Sequence, residues 1–247
     1  MYKALLSSDW NQCLAPCGPF DAFRHHYPDR AEDLDTVFRL YTGNAISLGE
    51  AAGRIRDLLP QGLTLQQMDD YLDQAFGTYP GVAELITWCR ENNVLFMVNT
   101  TGLIGYFQRV LARGLLPKIP VLAAHPLIRF EPLASDPAQI LVLEETADKA
   151  VHTAAIAARY GIAPRRIFIM GDSGGDGPHF EWGARAGAHL IGSMTKPSLR
   201  TYCTEKGIAI GQYIGHTYQQ DEAVSPDKEM GHDLLGVRDF IEPFIKS

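Results

Sequence analysis

The sequence predicts an α/β fold, a mainly parallel sheet with helices on both faces. Three observations predict it. Short apolar runs recur at residues 4–6, 94–98, 119–123, 167–170 and 188–191, each ending in small or polar side chains as buried strands do. Helical patterns separate most of them, which makes the connections crossovers of the kind that parallel strands require. The composition, 46% apolar and 21% charged, supports a large buried core rather than a disordered chain.

Taken in order, the first run (4–6) opens the sheet. The stretch that follows breaks the rhythm and reads as helix after helix. Ser47-Leu48-Gly49-Glu50 spells a capping box, and Thr64-Leu65-Gln66-Gln67 opens a helix whose Leu65, Met68, Leu72 and Phe76 share one face. A helix starting near Pro80-Gly81, with Val82, Leu85, Ile86 and Cys89 inward, returns the chain to the sheet. Residues 15–80 are therefore expected to form an inserted helical cap, with 1–14 and 81–247 as the α/β core. Runs 94–98 and 119–123 continue the sheet, a helix begins near Thr146-Ala147-Asp148-Lys149, and runs 167–170 and 188–191 follow. Beyond them, a Gly- and Tyr-rich stretch (202–218) suits either an extra edge strand or a dimer contact. Leu234, Leu235, Val237, Phe240, Ile241 and Phe244 predict a closing helix packed on the sheet.

Several classes are excluded or disfavoured. With 29 acidic against 22 basic residues and a net charge of −7, the chain has the wrong sign for a nucleic-acid binder. Its 4 cysteines, none in a paired zinc-type spacing, are expected to be free thiols. No apolar run is long enough to span a membrane, and the first residues are too short an apolar run for a signal peptide, so a cytoplasmic protein, monomeric or homodimeric, is expected.

In open parallel sheets ligands bind beyond the carboxyl ends of the strands. The polar residues there are Asp9, then Asn99-Thr100-Thr101-Gly102, then Gly171-Asp172-Ser173-Gly174-Gly175-Asp176, with Lys149 at the start of the intervening helix. Such a set suits phosphoryl transfer. Asp9, Asp172 and Asp176 offer oxygen ligands to a hard cation such as Mg²⁺, and a metal-neutralised carboxylate can act as a nucleophile. Thr100 or Thr101 and Lys149 can hold phosphoryl oxygens. A lysine early in a helix is otherwise unexpected, because the helix dipole favours anions there.

The order and spacing of these residues, above all Gly171-Asp172-Ser173-Gly174-Gly175-Asp176 and Asp9, resemble the haloacid dehalogenase-like hydrolase superfamily. That resemblance implies a Rossmann-like sheet of strand order 3-2-1-4-5, a mobile cap, and an Mg²⁺-dependent phosphatase acting through an aspartyl phosphate on a small phosphorylated metabolite. On this expectation Asp9, Asn11, Thr100 and Lys149 are catalytic, with Thr100 favoured over Thr101 as the phosphate hydroxyl. Asp9, Asn11 (through its backbone carbonyl), Asp172 and Asp176 hold the metal, and Thr101, Gly102, Arg24 and His25 meet the substrate. One departure matters: the usual Asp-x-Asp-x-Thr reads Asp9-Trp10-Asn11-Gln12-Cys13, so the customary acid is an amide. A general acid contributes about 10²–10⁴-fold, which predicts a preference for good leaving groups unless the cap supplies a proton. Carbon–phosphorus and carbon–halogen cleavage are the alternatives. No lysine lies between Lys3 and Lys118 to serve the first, and the Gly-Asp-x-x-x-Asp ending argues against the second. A non-enzymatic binding protein on the same scaffold is the remaining alternative.

Overall fold

A computed structural model describes residues 1–42 and 45–246. Seven parallel strands form one sheet: β1 (Ala4–Ser8), β2 (Val94–Leu103), β3 (Val121–His125), β4 (Gln139–Val142), β5 (Ile167–Gly171), β6 (His189–Thr195) and β7 (Gln212–Thr217), in the order β4-β3-β2-β1-β5-β6-β7. The five expected strands occupy the middle in the expected 3-2-1-4-5 order. β1 is central, pairing Ala4 with Val94 on one side and Leu5 with Ile167 on the other, and every residue of it is buried.

The side-chain alternation of β1 splits the core into two layers. Leu5, Leu95, Met97 and Ile169 face the helices Asp148–Tyr160 and Gly177–Ala186, meeting Ile156, Ala157 and Phe180. Ala4, Leu6, Phe96 and Phe168 face the other way, toward Val82–Glu91, Ile104–Ala112 and Val237–Lys246. The predicted closing helix is present in that second layer, where Phe240 and Phe244 set ring edges against Phe168 at 6.0 and 5.5 Å.

The structure adds two edge strands. β4 is half-exposed and only four residues long, and its short apolar run Ile140-Leu141-Val142 is not among those singled out in the sequence. β7 resolves the Gly- and Tyr-rich stretch as an edge strand paired with β6.

Between β1 and the helix Val82–Glu91 stand the helices Asp21–His26, Ala31–Thr42, Leu48–Leu58 and Leu65–Ala75. Thr64 and Gln67 cap the last reciprocally, and Met68, Tyr71 and Leu72 bury its inner face, while Leu65 is 40% exposed. The Ser47 box is only half made. Ser47 accepts from Glu50 N–H, but the Glu50 carboxylate pairs with Arg54 instead of returning. Glu145, from the core, takes its place: it accepts from the Ser47 hydroxyl at 2.7 Å and from the Leu48 and Gly49 amides at 3.1 and 3.0 Å. Arg109 clamps Asp69 from the core side through two bonds of 2.7 and 2.8 Å. These contacts fix the inserted helices over the carboxyl edge of the sheet.

Candidate active site

β1 and β5 end side by side, and the Asp9 amide extends their ladder by donating to the Met170 carbonyl at 2.9 Å. Asp9 thus leaves the sheet beside Asp172, which follows β5. The next turn, Gly174–Asp176, brings Asp176 back under both: the Asp172 and Ser173 amides donate to its Oδ2 at 3.0 and 3.3 Å. Gly171 is required here, because a Cβ on it would stand 2.5 Å from the Asp176 carboxylate. Carboxylate oxygens of Asp9, Asp172 and Asp176 consequently lie within 4.8 Å of one another, all buried.

Lys149 closes the set from the first turn of its helix. Its ammonium donates to Asp176 Oδ1 at 2.6 Å and lies 3.1 Å from Asp9 Oδ1. Asn99 anchors that turn from beneath, donating to the Lys149 carbonyl at 2.9 Å and to Thr153, whose hydroxyl also meets Ser7 and His179. Burial would lower the Lys149 pKa, but Asp176 and Asp9 outweigh it and hold the ammonium above its ordinary value. For Asp176, burial is likewise outweighed by Lys149, and its carboxyl falls below the usual range. Asp9 and Asp172 go the other way. Burial raises both against the pull of Lys149 and Lys196, Asp172 to about 7.

The oxygens fit a hard divalent cation. Three carboxylates converge, and Asp9 Oδ1 is buried yet accepts no aligned hydrogen bond, although Lys149 is near. Asp176 has both oxygens taken by protein donors, which leaves Asp9 and Asp172 as the freer ligands.

A cleft of about 350 Å³ opens over Asp9 and Asp172. A larger hollow of about 790 Å³ lies at the opposite, amino-terminal edge of the sheet beside Tyr2, Val94 and Ile119, remote from these carboxylates.

No protein-family model matches the chain. A 76-residue stretch is 29% identical to the 2-hydroxy-3-keto-5-methylthiopentenyl-1-phosphate phosphatase of Brevibacillus brevis, and covers 31% of this chain and 34% of that protein. The match thus spans about a third of the curated relative's length. Among solved structures, a phospho-aspartyl intermediate analogue of phosphoserine phosphatase superposes with a TM-score of 0.66 at 15% identity, over 98% of this chain and 100% of that one. A HAD family hydrolase from Salmonella enterica subsp. enterica serovar Typhi gives 0.64 at 18% identity, over 87% and 68%. The chain has the fold of the haloacid dehalogenase-like hydrolases.

On this HAD-like scaffold the expected residues separate. Asp9, Lys149, Asp172 and Asp176 come together. Thr101 lines the cleft, whereas the Thr100 hydroxyl turns aside to donate to Asn11 Oδ1 at 3.0 Å. The Asn11 amide in turn donates to the Cys17 carbonyl at 3.3 Å, so the whole side chain is committed to the fold. Gly102 makes room for it, since a Cβ there would meet Asn11 Oδ1 at 2.8 Å. Arg24 and His25 are not brought to the cleft: Arg24 pairs with Asp21 and Asp35, and exposed His25 packs on His26 and Tyr71.

Other residues of the HAD-like cleft escaped the sequence reading. Lys196, directly after β6, binds Asp172 and Gln12 through its ammonium. Gln12 holds a left-handed backbone (φ 56°), a strained conformation of the kind that collects at functional sites. Ending the sixth strand at Thr195 rather than 191 would have placed Lys196 at the carboxyl edge. Phe38 and Tyr41, from the inserted helices, and Val224, from the loop after β7, form the outer wall, and no sequence signal set them apart from ordinary apolar positions.

Proposed function

We propose that the chain is an Mg²⁺-dependent phosphatase of small phosphorylated metabolites, with Asp9 as the nucleophile. The observation that carries this reading is the buried trio Asp9, Asp172 and Asp176 with Lys149 set between two of its members. Three buried acids face only two ammonium groups, those of Lys149 and Lys196, and such a cluster is costly unless a cation and an anionic substrate complete it.

Asp9 and Asp172, with the Asn11 backbone carbonyl, would hold Mg²⁺, which supplies charge neutralisation for the carboxylate and the incoming phosphate. Asp176 positions Lys149, and Lys149 and Thr101 hold phosphoryl oxygens. Asp9 attacks phosphorus as the ester P–O bond breaks, giving an aspartyl phosphate that water then hydrolyses. Asn11 has its amide bound to Thr100 and Cys17 and offers the leaving oxygen no proton, so that oxygen departs as an anion and is protonated by water. Rates should therefore fall as the leaving group becomes more basic, from aryl (pKa about 10) to alkyl phosphates.

The test is phosphate release from aryl phosphates with and without Mg²⁺, beside Asp9→Asn. Activity that needs the metal and disappears in Asp9→Asn is expected. Turnover by Asp9→Asn at the wild-type rate would overturn the assignment.

A further inference from the structure

We infer that the phosphate ester this cleft accepts carries an uncharged, apolar organic group, such as an alkyl, thioether or aryl chain, rather than that of a phosphoamino acid, phosphocholine or phosphosugar. The inference rests on the phosphatase reading and narrows it.

The charges on the cleft lining all lie at its floor. Asp9 and Asp172 stand there with Lys196, whose ammonium is already shared between Asp172 and Gln12. Above them the wall is Pro19, Phe38, Tyr41 and Val224. No ionised side chain among the described residues faces the cleft from this outer wall. Arg24, the nearby cation of the inserted helices, is held by Asp21 and Asp35, and its guanidinium sits 5.4 Å from the centre of the Phe38 ring. A substrate carboxylate would find no counter-ion. A substrate ammonium would find the Phe38 ring already engaged by a cation and no carboxylate on the outer wall to pair with it. Burying either charge unpaired is expensive.

Hydroxyls do line the cleft, but several already take part in a hydrogen bond. Thr42 donates to the Phe38 carbonyl at 2.9 Å, Ser198 accepts from the Gly174 amide at 3.1 Å, Ser173 caps its own turn, and Thr101 meets the Tyr41 phenol. Ser173 and Ser198 only accept in these bonds and keep a proton to donate, so a polyol is disfavoured less than a charge is. The volume of about 350 Å³ stands at the small end of the roughly 300–1,000 Å³ typical of ligand sites, room for a phosphate and a short chain.

Leaving-group ability must be held constant in the test. n-Pentyl phosphate, O-phosphoserine, phosphocholine and glycerol 3-phosphate all expel alkoxides, so differences in kcat/KM among them report the wall. With Mg²⁺ and the full chain, pentyl phosphate is expected to exceed phosphoserine and phosphocholine by about 100-fold and glycerol phosphate by about tenfold. Val224 is 47% exposed, so Val224→Lys is compatible with folding, and it should narrow the gap between pentyl phosphate and phosphoserine by supplying the missing cation. Phe38→Ala should raise KM for pentyl phosphate more than for methyl phosphate. If phosphoserine, phosphocholine or glycerol phosphate is hydrolysed as well as pentyl phosphate, the substrate inference falls and the phosphatase reading stands. If none of the four esters is hydrolysed while aryl phosphates are, the substrate inference falls alone; if aryl phosphates are not hydrolysed either, both fall.

Discussion

Replacing Lys149 with methionine removes the one base between two acids while keeping most of its volume. The side chain is 2% exposed, with Asp176 at 2.6 Å and Asp9 at 3.1 Å. At an effective dielectric near 20, unit charges at such distances attract by about 5–6 kcal/mol per pair. Dehydrating the ammonium offsets several kcal/mol of that, and deleting one partner from a buried ionic cluster typically costs about 3–5 kcal/mol. Methionine leaves no large void, so the loss should be electrostatic and should carry two signatures. A divalent cation bound to the folded site returns stability, about 2.7 kcal/mol at a hundred times its Kd. Acidification from about pH 8 to 6 also narrows the gap, because carboxyls deprived of Lys149 take up protons that the wild-type Asp176 refuses. Urea unfolding at both pH values, with and without excess MgCl2, measures these terms, and phosphate release should drop by about 10²–10³. A Lys149→Met protein as stable as wild type without cation near pH 8, or one whose loss ignores both pH and Mg²⁺, would refute the electrostatic account of the site.

Three further outcomes follow from the same geometry. Burial, reinforced by Lys149, lowers the His179 pKa to about 3 from an ordinary 6.5, so the unfolded chain binds one proton more between those values. Stability should then fall on acidification below about pH 6.5, by about 2–3 kcal/mol at pH 4.5, and His179→Gln should remove that part of the acid limb in urea titrations. Asp172, raised to about 7, must lose its proton before it binds a metal. The apparent Kd for Mg²⁺ should rise up to about tenfold per unit below pH 7 and level off above it in calorimetric titrations. Glu145→Ala removes the carboxylate that caps Leu48–Leu58 from the core, at a cost of about 1 kcal/mol. Faster hydrogen exchange at the Leu48 and Gly49 amides is expected, and unchanged protection there would show that Glu145 does not hold the helix.

What the sequence revealed and what it hid divide along a physical line. Asp9, Lys149, Asp172 and Asp176 were legible because each is fixed by one local feature, a strand end, a Gly-rich turn or a helix start, and the crossover rule carries those features to one edge. The outer wall was not, because Phe38, Tyr41 and Val224 reach the cleft from separate segments that meet only through tertiary packing. Nor could a helical wheel tell which face of Asp21–His26 looks inward, and Arg24 and His25 fell away from the cleft. The two threonines show the finest limit. Reading 99–101 as a turn treats neighbouring hydroxyls as interchangeable, but β2 runs on to Leu103, with its register against β3 shifting after Asn99. Within an extended chain successive side chains point to opposite faces, so one residue decides between the cleft and the protein interior. Thr101 takes the cleft, and Thr100 is spent on Asn11. A boundary uncertain by one residue therefore leaves the strand end certain and the hydroxyl undetermined, and only the paired backbone of β2 separates the two.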